Sequence, residues 1–85
     1  MNVENQLYDI IRRNISVIYE NVNITDETEL IRDLGFDSIT IIQLILDVEE
    51  SFNIEFDDEA EYEDISVIKN LKKYIIRKTQ IKEND

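Results

Sequence analysis

The sequence predicts an all-α fold: a small three-to-four-helix bundle with a long loop between helices 1 and 2 and a short third helix. Three observations predict it. Apolar residues recur at helical spacing in three separate stretches of the 85-residue chain. There is one glycine, Gly35, and no proline, which argues against an all-β fold built on tight turns. Hydrophobic residues make up 42% of the chain, enough to fold, and a chain this short builds one core. A single domain over 1–85 is expected, with a tail fraying from about 80.

In the first helix Val3, Leu7, Ile10, Ile11, Ile15 and Ile18 share one face. Asn2 suits its start, and Asn21 or Asn23 its end. Residues 20–36 read as a long connection in which Thr25 and Thr28 hydrogen-bond the local backbone. Ile24, Leu30, Ile31, Leu34 and Phe36 are too apolar for a solvated linker and are expected to pack on the core. Gly35 breaks the chain before the next helix. Asp37-Ser38 opens that helix, with either residue able to cap it, and it runs to about Phe52. Residues 53–58 connect onward, and Glu59–Asp64 suit a short helical turn. Ser66 suits the cap of a last helix with Val67, Ile68, Leu71, Tyr74 and Ile75 inside. Lys72, Lys73, Arg77 and Lys78 fall towards its C-terminal end, where cations complement the helix dipole.

The helix that opens at Ser38 has two apolar sides. Ile41, Leu44, Ile45, Val48 and Phe52 form one stripe, the core face. Ile39, Ile42 and Leu46 form a second stripe on roughly the opposite side, among Asp47, Glu49 and Glu50. A bundle this small cannot enclose a helix that also carries three acids. The second stripe is therefore expected to be exposed and to dock other proteins, apolar contact giving affinity and acids giving orientation.

Charge and composition exclude several function classes. The chain has 20 acids and nine bases, a net charge of −11. Residues 26–64 hold 15 of the acids and only Arg32 as a base, a net −14, against +3 elsewhere. Nucleic acid is a poor partner for such a field. No cysteine and no histidine are present, so there is no disulfide, thiolate ligand or ready general base. No catalytic residue is expected, and Ser38 has no base to make it a nucleophile. A calcium loop counted from Asp57 needs Gly sixth and Glu twelfth, where Tyr62 and Ile68 stand, so no metal site is expected. No apolar run reaches a membrane span, and the N-terminus lacks a basic signal-peptide start. A cytoplasmic monomer is expected.

Leu34-Gly35-Phe36-Asp37-Ser38-Ile39, followed by Leu44, Glu49-Glu50, Phe52 and Ile54, resembles the acyl carrier proteins, also called thiolation proteins. Their pattern is a Leu-Gly-x-Asp-Ser-Leu box opening the second helix, with an acidic pair and a Phe near its end. The resemblance extends to Asp57-Asp58-Glu59-Ala60 and Ser66-Val67, and so covers essentially the whole chain. It implies a free-standing, non-catalytic carrier whose Ser38 bears 4′-phosphopantetheine, holding acyl or aminoacyl groups as thioesters. The implied pathways are of the fatty-acid, polyketide or nonribosomal-peptide type. Asp37 would orient the modifying transferase and its metal-bound coenzyme A. Ile39, Ile42, Leu46, Asp47, Glu49 and Glu50 would dock partners with basic patches. Those partners would be a phosphopantetheinyl transferase, an acyl- or adenylate-forming ligase, and a ketosynthase or other thioester-using enzyme.

The sequence departs from the housekeeping carriers at Ile39, where they have Leu, and at Thr40 and Gln43, where they have acids. The alternative, an acidic helical interaction module that inhibits an enzyme or mimics nucleic acid, needs no modified serine.

Overall fold

The computed structural model describes residues 3–57 and 65–83. Among these, the helices are α1 (Val3–Asn14), a 3-10 turn η1 (Val17–Tyr19), α2 (Leu30–Leu34), α3 (Ser38–Phe52) and α4 (Ile68–Glu83). α1 packs on both α3 and α4. The all-α reading holds: apart from one isolated antiparallel bridge, Glu29 with Val67, the described backbone has no β pairing.

The core takes Leu7, Ile10 and Ile11 from α1, Leu44, Val48 and Phe52 from α3, and Ile68, Leu71 and Ile75 from α4. Leu30 and Leu34 of α2 and Ile24, Phe36 and Ile54 of the connections complete it. Each such side chain contributes about 1.5–3 kcal/mol by leaving water. The long connection between α1 and α3 is therefore part of the core, as its apolar content required.

That connection is also clasped to α4. The Ile68 and Lys69 amides donate to the carbonyls of Thr28 (3.1 Å) and Asp26 (2.9 Å). These bonds take up free amides at the start of α4, a task the sequence assigned to Ser66. Asp26 accepts from the Tyr8 hydroxyl at 2.9 Å and from Lys72 Nζ at 2.9 Å, joining α1, the loop and α4. Thr25 and Thr28 order the turn between them, with the Thr25 amide donating to Thr28 Oγ1 at 2.8 Å.

The structure corrects several expectations. α1 stops at Asn14, whose side chain donates back to the Ile10 carbonyl at 2.9 Å. Ile18 thus lies in η1 and is 80% exposed rather than on the α1 core face. The connection contains α2, which the sequence did not announce, and Ile31 points outward from it while Leu30 and Leu34 point in. Ile41 is half-buried and packs against the core, and Ile45, expected on the same stripe, is only half-buried.

Lys72 and Lys78 do not act chiefly on the end of α4, which continues to Glu83. They reach sideways to Asp26 and to Asp57, the latter at 2.8 Å. The expected cap Asn2 and the turn over Glu59–Asp64 lie outside the described residues. No helix among the described residues is long and apolar enough to cross a membrane.

Candidate functional site

The chain enters α3 through Gly35-Phe36-Asp37, and each residue has a physical reason to be there. Gly35 follows α2 with φ +66°, in the left-handed region that favours glycine, and its amide donates to the Ile31 carbonyl. A Cβ there would stand 2.6 Å from the Tyr19 hydroxyl oxygen, so the absent side chain is also what lets η1 close on this turn. Phe36 is buried and anchors the entrance to the core.

Asp37 is the N-cap of α3: its Oδ1 accepts the Thr40 amide at 2.8 Å. That bond from the Thr40 amide holds the Asp37 carboxyl below its ordinary value of 3.8, so it stays ionised at neutral pH. The choice the sequence left open between Asp37 and Ser38 is thereby resolved. Ser38 is the first residue of α3, exposed, and its hydroxyl has no hydrogen-bond partner among the described residues. The first turn of α3 holds no acid. An anion on the Ser38 oxygen would meet the positive end of the helix beside the ionised cap carboxylate of Asp37.

The second apolar stripe is exposed: Ile39 by 67%, Ile42 by 56% and Leu46 by 57%. The three acids beside it differ from one another. Glu50 is exposed. Asp47 is half-buried and accepts from Asn14 Nδ2 at 3.0 Å, tying the end of α1 to the flank of α3. Glu49 is half-buried and accepts the Phe56 amide at 2.9 Å, closing the chain back over the end of α3. Two of the three acids thus have structural partners within the fold. The sequence reading also passed over Tyr19, which covers Gly35, and the exposed Val17 beside it, and it placed the exposed Ile18 on the core face of α1. No local signal marks them, because the apolar periodicity of α1 runs straight on through Ile18.

The model of the phosphopantetheine attachment site family matches residues 5–75. The chain belongs to the acyl carrier protein family. It is 37% identical over 78 residues to an acyl carrier protein of Buchnera aphidicola, covering 87% of this chain and 96% of that protein. It is 42% identical over 65 residues to one from Helicobacter pylori strain J99, covering 71% of this chain and 82% of that protein. Another from Chloroherpeton thalassium is 36% identical over 76 residues, covering 89% and 91%. The covalent group of this family is 4′-phosphopantetheine. The entrance of α3 fits it: a bare hydroxyl, a cap that leaves that hydroxyl unused, and a helix end suited to a phosphodiester.

Proposed function

We propose that this acyl carrier protein bears its 4′-phosphopantetheine on the Ser38 oxygen and performs no catalytic step of its own. The observation that carries the reading is the division of labour at the α3 entrance. Asp37 takes the capping bond, and the Ser38 hydroxyl is left exposed and unpaired among the described residues. The group supplies a terminal thiol on which acyl or aminoacyl cargo is held as a thioester. The protein supplies the tether point, a helix end that accommodates the phosphodiester anion, and a surface for visiting enzymes.

Asp37, kept ionised, orients the phosphopantetheinyl transferase and its metal-bound coenzyme A. Ile39, Ile42 and Leu46, with Glu50 at the edge, dock that transferase and the enzymes that load and use the thioester: an acyl- or adenylate-forming ligase, and a ketosynthase or related enzyme. The neutral Thr40 and Gln43 on the first turns favour a specialised pathway, of polyketide or peptide type, over housekeeping fatty-acid synthesis.

The test is intact mass after incubation with a broad-specificity transferase and coenzyme A. The expected result is a gain of one phosphopantetheine that Ser38→Ala abolishes. A wild-type chain left unmodified overturns the reading in favour of a plain acidic interaction module, and a Ser38→Ala chain modified equally overturns Ser38 as the attachment point. The mass of the thioester-loaded protein from its native host then identifies the cargo and with it the pathway.

A further inference from the structure

Lys69, Lys72 and Lys78 of α4 each reach a carboxylate, of Glu27, Asp26 and Asp57 respectively. Lys73 and Arg77, both exposed, form no ion pair among the described residues, in a chain with 20 acids and nine bases. They stand one turn apart on the same face of α4, a spacing at which like charges oppose each other. Arg77 is also held in place. Its guanidinium lies 5.0 Å over the Tyr74 ring. Tyr74 is buried, stacks on Phe56 at 4.9 Å, and its hydroxyl accepts the Asp57 amide at 2.8 Å. The Asp57 carboxylate is itself taken by Lys78. Lys73, Tyr74 and Arg77, with Asn70, line a cavity of about 250 Å³. That is below the roughly 300–1,000 Å³ of sites for drug-sized ligands and suits one small anionic group. Glu49, which accepts the Phe56 amide, lies about 16 Å along α3 from Ser38, so this cluster belongs to the opposite end of that helix.

We propose that Lys73 and Arg77 form a binding site for a phosphoryl dianion, either inorganic phosphate or a phosphate monoester. The guanidinium presents its N–H donors in a planar fork that matches two oxygens of one phosphoryl group, and the Lys73 ammonium supplies a second positive charge. Held against Tyr74, Arg77 loses little side-chain freedom when it takes a ligand. A carboxylate is the weaker occupant. The chain offers 20 of its own, and none among the described residues pairs with either cation. A dianion draws on both cations at once. The site stands or falls independently of Ser38.

The test titrates the full chain with inorganic phosphate and, separately, with glycerol phosphate at about pH 7.5, where both are largely dianionic. Chloride at matched ionic strength is the reference, and ¹H–¹⁵N spectra that include the Arg77 side chain are the readout. The expected result is a saturable shift at Asn70, Lys73, Tyr74 and the Arg77 Nε–H that chloride does not reproduce. Arg77→Gln weakens the apparent affinity by about tenfold or more, and Arg77→Lys, which keeps the charge and loses the fork, weakens it less. Arg12→Gln, the same charge change at an exposed position of α1, leaves it at the wild-type level. The tighter of the two ligands identifies the source of the phosphoryl group. Shifts that chloride reproduces, or equal losses in Arg77→Gln and Arg12→Gln, reduce the effect to general screening and overturn the inference. A Lys73→Gln chain that melts several degrees below wild type in phosphate-free buffer would show that the ammonium already serves a carboxylate of this chain, and overturns it as well.

Discussion

The Asp37 carboxylate accepts the Thr40 amide at 2.8 Å, so the residue before the serine closes the helix and the serine does not. This one bond ties the stability of α3 to the availability of the proposed attachment point. Asp37→Ala is expected to lower the melting temperature at neutral pH by a few degrees, whereas Asp37→Asn, whose amide oxygen can accept the same bond, keeps most of the stability. The sign with pH is definite. A carboxyl held below 3.8 in the folded state contributes stability above that value and loses it as pH falls through the lowered value. The gap between the melts of wild type and Asp37→Ala should therefore narrow as pH falls from about 7 into the acid range, while the neutral carboxyl keeps an acceptor oxygen for the Thr40 amide. A constant gap across that range would show that the charge of Asp37 is irrelevant to the cap.

The two faces of α3 give opposite expectations at neighbouring turns. Val48 is fully buried and Leu46 is 57% exposed. Val48→Ala should cost about 1–3 kcal/mol in chemical denaturation. Leu46→Ala should change stability by less than about 0.5 kcal/mol. Leu46→Ala should nevertheless slow modification by the transferase, whereas Val48→Ala should leave the rate intact in the folded fraction. Equal stability costs at the two positions would mean that the helix is rotated from the orientation described.

The phase of α3 was legible in the sequence because its apolar residues repeat over fifteen positions, whereas its cap was narrowed only to Asp37 or Ser38, since either side chain can accept a free amide of the first turn. The end of α1 was not. Ile15 and Ile18 keep the helical rhythm, while the stop is made by Asn14 bonding back to Ile10 and outward to Asp47, 33 residues away. α2 was missed for a similar reason. Five residues are too few to form a helix alone, and this one exists because Leu30 and Leu34 are buried by the rest of the core. The inward engagement of Glu49 depends on Phe56 folding back across α3, which spacing along one helix cannot express.

Gly35 combines a positive φ with an aromatic ring on its open side. Gly35→Ala is expected to destabilise by about 1–2 kcal/mol from the left-handed backbone alone. The Tyr19 ring has to move as well, since its hydroxyl end stands 2.6 Å from the new Cβ. In a double-mutant cycle with Tyr19→Ala, the pair should be less destabilised than the sum of the singles by at least about 0.5 kcal/mol. Strict additivity would indicate that Tyr19 does not rest on this turn.

The net charge of −11 opposes compaction, and 15 of the acids lie within 26–64. Raising ionic strength from about 0.01 M to about 0.15 M shortens the screening length from about 30 Å to about 8 Å. Ion pairs such as Lys72–Asp26 weaken under that change, but like-charge pairs far outnumber them. The melting temperature is therefore expected to rise, and millimolar Mg²⁺ should raise it further. A flat or falling response would mean that the clasps at Asp26 and Asp57 outweigh the repulsion.

Asp26 joins three elements, and its removal gives the most specific pH signature. The Tyr8 hydroxyl is pushed up to about 12, first by burial and then by the bond and charge of Asp26. Lys72 is raised above 10.5 chiefly by its hydrogen bond to Asp26. Asp26 itself is lowered, first by Lys72 and then by Tyr8. Raised groups stabilise below their unfolded values and lose that contribution as pH climbs through the folded ones. The wild-type chain should therefore lose stability from Tyr8 between pH 10.0 and about 12, with Lys72 adding to the loss above 10.5. Asp26 has the opposite sign and contributes to the loss below 3.8. Asp26→Asn keeps an acceptor oxygen and discards the charge. It should lower stability at neutral pH and flatten both limbs of the pH profile. The Tyr8 titration should move only part of the way from about 12 towards 10.0, because burial, its largest cause, remains. Ultraviolet titration of the four tyrosines, with Tyr8→Phe assigning the highest step, measures this directly. Coincident curves for wild type and Asp26→Asn would mean that the carboxylate does not bind the Tyr8 hydroxyl, and that the loop is held to α1 and α4 by packing and backbone bonds alone.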